Sequence, residues 1–258
     1  MPKTVVLLQV RTKSTRLPGK AMLKLQDKPI VEHVIDRLKA AKTPDSVVVC
    51  TSRHEDNRVL LELARRNKVE GFAGSEEDVL DRFIQAARAT EADIVIRASG
   101  EDPLVDPVYL DEMVEHHIKT KADYTSTKQL PVGVAVEVIS TMALERAHQL
   151  ADNSEMSEYM TLYFKDDFFH TETVEVEESL RRPNYRLTVD TPKDLELIEE
   201  IYRRLYKPDK IIALGAAVRL LDENPELARI NTHRVPRKAE RKVIDRNGSP
   251  KIRIVVGE

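Results

Sequence analysis

The chain has a single cysteine, Cys50, among 258 residues. That excludes an internal disulfide framework and leaves a thiolate metal site without a ligand set. Cys50 closes the apolar run Val47-Val48-Val49-Cys50, a setting for a buried structural thiol rather than a nucleophile. A strong charge of one sign is also missing. The formal net charge is only -3, so no global field draws the chain to nucleic acid or to a membrane surface. No apolar run approaches the ~20 residues of a membrane span. Residues 5–10 are too short for a secretory leader and are followed by charges. No signal peptide is therefore expected, and a cytoplasmic, reducing setting is the default. Internal repeats and low-complexity segments are lacking as well.

What is present begins with an apolar fraction of 41%, enough for the core of one large domain, or of one domain with an extension. Apolar runs at residues 5–10, 46–51, 69–72 and 92–97 read as strands. Between them, residues 29–38, 56–67 and 78–90 carry apolar side chains at helical spacing, as in Ile30, Val31, Val34, Ile35 and Leu38. This alternation predicts an α/β fold whose mostly parallel central sheet is covered on both faces. Further on, helices are expected at 109–119, 141–150, 154–164, 192–206 and 209–222, with a helical turn at 225–229. Short strands are expected at 123–127, 134–139, 170–176 and 186–189. Met156, Met160 and Phe164 fall on one side of their helix. Asp190 or Thr191 caps the helix that starts at Pro192. Residues 1–206 form the main domain. Residues 207–258 form a helical extension that ends in a hairpin about Asn247-Gly248. An isolated hairpin is marginal in water, so it packs on the main domain or on a second subunit as a dimer arm.

Two stretches carry chemistry. The first strand ends in Arg11-Thr12-Lys13-Ser14-Thr15-Arg16-Leu17-Pro18-Gly19-Lys20. Guanidinium, ammonium and hydroxyl donors at the end of a first strand suit a polyanion such as a triphosphate. The strand at 92–97 is followed by Gly100-Glu101-Asp102-Pro103-Leu104-Val105-Asp106-Pro107, which places three carboxylates close together.

Four ordered motifs resemble the cytidylyltransferases of the spore-coat polysaccharide type, with the acylneuraminate and 3-deoxy-manno-octulosonate enzymes as more distant relatives. They are the stretch from Gln9 to Lys20, the stretch Gly74-Ser75-Glu76-Glu77-Asp78-Val79-Leu80-Asp81-Arg82, the stretch from Arg97 to Pro107, and Leu187-Thr188-Val189-Asp190-Thr191-Pro192-Lys193-Asp194-Leu195. The resemblance implies a nucleotide-diphosphosugar-transferase-like three-layer fold. It also implies transfer of CMP from CTP to a small-molecule acceptor, a sugar acid, phosphate or phosphonate, with release of pyrophosphate. Arg11, Ser14, Arg16 and Lys20 would hold the triphosphate, with Arg11, Arg16 and Lys20 catalytic. Ser75 would lie near cytosine and ribose, and Gln9 and Arg97 complete the nucleotide set. Glu101 and Asp190 fall at the family's two metal positions, for Mg²⁺. Such a site agrees with phosphoryl-transfer chemistry, which needs charge neutralisation and in-line positioning above all. A homodimer is expected, without nucleic acid or membrane as partner.

The sequence departs from the family at chemically important places. Glu101 stands for Asp, so either the ion shifts or Asp102 substitutes. Lys13 replaces a glycine. Val132-Gly133-Val134-Ala135-Val136-Glu137-Val138 lacks two carboxylates, and Ser157-Glu158-Tyr159-Met160-Thr161 lacks a cation and an imidazole. One reading is an active enzyme with a different acceptor. Another is a catalytically weak paralogue that binds nucleotide or serves assembly in surface polysaccharide synthesis. A third puts function in the basic tail from Arg234 to Lys242. His116 and His117 read as a solvated pair, His33 and His148 as helix-surface or packed residues, and Phe168 and Phe169 as core or interface.

Overall fold

Strand β1 (Thr4–Gln9) is buried along its whole length up to Leu8, which only a central strand covered on both faces can be. The computed structural model describes residues 1–14, 16–232, 238–244 and 249–256. After β1 come a small ribbon of β2 (Lys24–Leu25) and β3 (Lys28–Pro29), then α1 (Ile30–Lys39), β4 (Ser46–Ser52), α2 (Arg58–Arg66), β5 (Glu70–Gly74), α3 (Val79–Ala89), β6 (Ile94–Ser99) and α4 (Pro107–Thr120). The second half adds β7 (Tyr124–Ser126), β8 (Glu137–Ser140), α5 (Thr141–Leu150), a 3₁₀ segment (Ser154–Lys165) and β9 (Thr171–Thr173). It continues with α6 (Pro192–Leu205), α7 (Leu214–Glu223), α8 (Pro225–Ala228), β10 (Lys238–Ile244) and β11 (Pro250–Val256). Among the described residues no helix is long and apolar enough to cross a membrane.

The seven-stranded sheet runs β5-β4-β1-β6-β8-β7-β9. β5, β4, β1 and β6 are parallel, and β8 runs antiparallel to β6. The chain leaves β1 for β4 on one side and later returns to β6 on the other. Order therefore reverses at β1, and the crevice beyond the carboxyl ends of β1 and β6 is where such sheets bind ligands. Alternate residues face opposite layers. Leu7, Val48, Cys50 and Val95 meet α3, α5 and the 3₁₀ segment. Leu8, Val49 and Ile96 meet α1, α2 and α4. A third cluster joins α6 and α7 to Leu104, Leu130 and Leu187. The expected three-layer α/β fold with a mostly parallel sheet is the one observed. Cys50 is fully buried, and burial pushes its thiol up to about 12.

Several local expectations are corrected. Residues 186–189 are not a strand. The backbone amides there donate to two loops, Leu187 to Val132 O at 2.7 Å and Val189 to Glu101 O at 2.8 Å, so they join no ladder. β8 begins at Glu137 rather than 134, because the Val134 carbonyl accepts from Asp106 N at 2.9 Å. The helix expected from 209 starts at Leu214; Asp209 has φ +59°, a left-handed turn that no α-helix continues through. The segment after Ser154 is 3₁₀, with non-helical angles at Tyr159. Met160 and Phe164 are buried as expected, whereas the side chain of Met156 lies outside the described residues. Phe169 is buried and Phe168 exposed.

The hairpin pairs β10 with β11, and its Asn247-Gly248 turn lies outside the described residues, as do Arg234 and Arg237 of the basic tail. Strand β11 contacts the rest of this chain. Ile252 and Ile254 enter the first core, and Asp152 N donates to Ile252 O at 3.0 Å.

His117 is also corrected. His116 is half-buried beside Glu172, but His117 is 2% exposed, with Nδ1 2.9 Å from Thr125 Oγ1. Burial drives its pKa down to about 4, against the pull of Asp123. A folded-state pKa below the unfolded value means the neutral ring stabilises the fold above about 6.5 and that this is lost as pH falls toward 4. Between pH 7 and pH 5 the wild type should lose about 2 kcal/mol more stability than His117→Gln, as read from urea melts at both pH values.

Candidate active site

The crevice is built from loops that approach unusually closely. Gly100 N donates to Gln9 O at 2.9 Å, and a Cβ on Gly100 would lie 2.7 Å from the Val10 side chain. Only glycine lets the two strand ends run side by side there. Gly133, at φ +89°, does the same for the 185–190 segment: its Cβ would lie 2.7 Å from Thr188 N. Held by Val189 and Thr188 against the Glu101 carbonyl, this segment delivers Asp190 beside Glu101.

Lys20 joins them. Its ammonium is 2.5 Å from Glu101 Oε2 and 2.8 Å from Asp190 Oδ1, and the residue is only 5% exposed. Arg16 reaches the same Asp190 oxygen at 3.1 Å. Arg186 takes the other, Oδ2, at 2.5 Å. Three cations thus converge on one carboxylate. Burial alone would raise the Asp190 pKa, but hydrogen bonds with Lys20 and Glu101 and the charges of Lys20 and Arg16 hold it well below the usual range. Glu101 goes the other way: burial and the neighbouring Asp190 push it up, to about 7, against Lys20. Burial likewise raises Asp102, to about 6, against a hydrogen bond from Thr188 and the charge of Arg97.

Asp194 supports this cluster from below. It is fully buried. Its Oδ2 accepts from Asp190 N at 3.1 Å and Thr191 N at 2.8 Å, and its Oδ1 from Arg186 Nε at 3.2 Å and Asn231 Nδ2 at 2.9 Å. Thr191, not Asp190, caps α6, in a reciprocal capping box with Asp194. The Asp190 side chain is left to the cations. Asp106 is drawn off in the opposite sense: it caps α4, accepting from Val108 N and Tyr109 N.

The structure therefore brings Arg16, Lys20, Glu101 and Asp190 together. Arg11 and Ser14 lie on the same loop but line a neighbouring cleft of about 580 Å³ with Lys13 and Asp56. Thr15 lies outside the described residues. Ser75 accepts from Asp78 N at 3.0 Å at the start of α3, and Glu76 beside it is 4.0 Å from the Lys13 ammonium, so this stretch flanks the basic loop. Gln9 and Arg97 hold each other: Arg97 Nε donates to Gln9 Oε1 at 3.1 Å, while its Nη1 is ion-paired with Glu137. The sequence reading missed Arg186, Asp194 and Asn231. Arg186 stands four residues before Asp190, a weak local signal. Asn231 has none.

Two carboxylates from separate loops that meet at one ammonium offer hard oxygen donors of the kind Mg²⁺ takes. Glu101, rather than Asp102, reaches that point, so its longer side chain is accommodated. No group of three or more His, Cys, Asp or Glu residues forms a metal cage among the described residues. Glu101 and Asp190 would be the protein's ligands to such an ion, which would need further oxygen donors from phosphate or water. The support beneath is directly testable. Asn231→Ala leaves a buried carboxylate oxygen short of a donor and should cost about 1–3 kcal/mol in a denaturant melt.

Comparison with known proteins identifies the family. A family model described as cytidylyltransferase matches residues 5–215. An uncharacterized protein of Methanocaldococcus jannaschii is 35% identical over 244 residues, 93% of this chain and 99% of its own. The spore coat polysaccharide biosynthesis protein SpsF of Bacillus subtilis is 32% identical over 238 residues, 88% of this chain and 98% of its own. Among solved structures, a cytidylyltransferase from Leptospira borgpetersenii superposes with a TM-score of 0.83 at 27% identity, covering 91% of this chain and all of that one. With the motifs, the sheet order and these relatives in agreement, the chain belongs to the cytidylyltransferase family.

Proposed function

We propose that the protein transfers CMP from CTP to an acceptor phosphate, phosphonate or sugar-acid hydroxyl and releases pyrophosphate in a Mg²⁺-dependent reaction. The observation that carries this reading is the convergence of Lys20 and Arg16 on Glu101 and Asp190 at the sheet's switch point. The acceptor oxygen attacks the α-phosphorus, and the bond from that phosphorus to the bridging oxygen of the β-phosphate breaks. Little covalent work falls to the protein. Lys20 and Arg16 exchange Asp190 for phosphate oxygens, in charge-assisted hydrogen bonds that orient the chain of phosphates for in-line displacement. Arg186 and the Asp194 network keep the Asp190 carboxylate in place when those cations turn to the nucleotide. Mg²⁺, held by Glu101 and Asp190 when bound, supplies further neutralisation of the phosphate charge. SpsF is named for spore coat polysaccharide biosynthesis, and the proposed product is accordingly an activated surface sugar.

A second reading, a paralogue that binds nucleotide with little turnover, is favoured by the altered positions Ala135 and Tyr159. Pyrophosphate release from CTP and Mg²⁺ across an acceptor panel separates the two, since tight CTP binding with no release supports the paralogue. In the active enzyme Asp190→Asn should lower kcat by roughly two to three orders of magnitude while CTP binding stays within about threefold. Lys20→Met should instead weaken CTP binding, seen as a smaller thermal shift with CTP. Full turnover in Asp190→Asn would reduce that residue to a partner for cations.

A further inference from the structure

Past Arg97 the site opens into a cleft of about 860 Å³ walled by β7, β9 and the 3₁₀ segment. It adjoins the reacting end through Gly133, which lines the cleft and packs on Thr188. Thr188 Oγ1 in turn lies 3.5 Å from the Glu101 carbonyl. An acceptor reaching toward Glu101 and Asp190 would rest its body here.

Most of the buried and half-buried charged groups of this cleft are committed to partners. Glu137 and Glu172 are the carboxylates that line it. Glu137 Oε2 is ion-paired with Arg97, and its Oε1 accepts the Tyr124 hydroxyl at 2.7 Å. Glu172, on the edge strand β9, has His116 Nε2 3.0 Å from one oxygen and His170 Nε2 3.0 Å from the other. Ala135 brings no further carboxylate. Arg97 is engaged with Glu137 and Gln9. The remaining cations, Lys128 and Lys165, are exposed. Between these charges the wall is hydroxyl-bearing: Ser126, Thr127, Thr161 and Thr173 line it. The Thr127 hydroxyl oxygen is buried and has no hydrogen-bond partner among the described residues.

Two chemical consequences follow. A sugar hydroxyl sheds a proton as it attacks, and general-base help requires an acceptor within hydrogen-bond reach. Each oxygen of Glu137 and Glu172 already holds a guanidinium, hydroxyl or imidazole partner, which favours the charged form and makes both weak bases. A phosphate monoester needs none, because its second ionisation, near pH 6, leaves the attacking oxygen anionic at neutral pH. A carboxylate on the acceptor's body, moreover, meets no uncommitted guanidinium among the described residues that line the cleft, only the exposed ammonium groups of Lys128 and Lys165, while a neutral body rich in hydroxyls meets partners of its own kind.

We infer that, granted the transfer proposed above, the acceptor is a phosphate monoester on an uncharged, hydroxyl-rich body, with Glu137 setting the preference by keeping Arg97 neutralised. The acceptor's phosphate oxygen forms the new bond to the α-phosphorus. The bond from α-phosphorus to the β-bridging oxygen breaks, and pyrophosphate departs with that electron pair. No proton is transferred, and the product carries a CDP linkage.

The test is saturation-transfer NMR on the full chain with Mg²⁺ and a non-hydrolysable CTP analogue, using a panel of hexose 1-phosphates and glycerol 3-phosphate against 3-deoxy-manno-octulosonate. Wild type should bind at least one phosphate probe ten-fold or more tightly than the sugar acid. Glu137→Gln, with Arg97 released, should gain about ten-fold for the sugar acid. In parallel, pyrophosphate release from CTP should occur with the bound phosphate probe and yield a CDP-linked product by mass. Equal or tighter binding of the sugar acid by wild type overturns the inference whether or not Glu137→Gln folds, as does a phosphate panel that does not bind. The expected binding pattern without pyrophosphate release upholds the cleft assignment and overturns the transfer reaction instead.

Discussion

An ammonium group buried where three loops meet must be neutralised, and the organisation of this protein's site follows from that need. Removing a charge from water without partners costs several kcal/mol or more. Lys20 meets the requirement with Glu101 from the loop after β6 and Asp190 from the segment before α6. Each carboxylate is itself anchored by backbone contacts, so the ion cluster also fixes how the loops lie. The same arrangement is suited to an incoming polyanion, because cations held by exchangeable carboxylates can be handed over to phosphate without moving the scaffold.

The scaffold tolerates this because the approach of its loops is set by steric rules. Gly100 and Gly133 stand where a methyl group would collide with Val10 or with the backbone of Thr188. Parallel strands β1 and β6 run in register from Thr4 opposite Ile94 to Gln9 opposite Ser99, so their loops begin at the same height. The Asp194 network then carries the constraint down into α6, whose capping box is also the support for the Asp190 loop. Helix start and site support share one set of atoms.

Much of this was legible in the sequence, and the failures have physical causes. Strands β1, β4 and β6 announce themselves because strands buried on both faces are nearly all apolar, and the basic loop stands out against them. Leu187 and Val189 alternate like a strand, yet their backbone partners are loops, a fact that periodicity does not encode. His116 and His117 look alike on paper; the register of α4 against β7 buries only the second. Thr191 and Asp190 compete for one cap, and the choice rests on Asp194 reaching back three residues. Asn231 contributes to the site from 37 residues beyond Asp194, with no local pattern to reveal it. Pairing of Arg97 with Glu137 depends on β6 and β8 being neighbours, which follows from the sheet order and not from the motifs.

The docking of β11 bears on how the molecule comes into being. Ile252 and Ile254 lie in the same core as Met160, Tyr163 and Phe164 of the 3₁₀ segment, and Asn153 at the head of that segment bonds both ways with Ile254. The segment is also a wall of the large cleft. During synthesis the central sheet can settle while the chain is still emerging, since domains fold as their residues become available. That wall acquires its backing only when β11 has docked, so it is completed after the sheet it stands on.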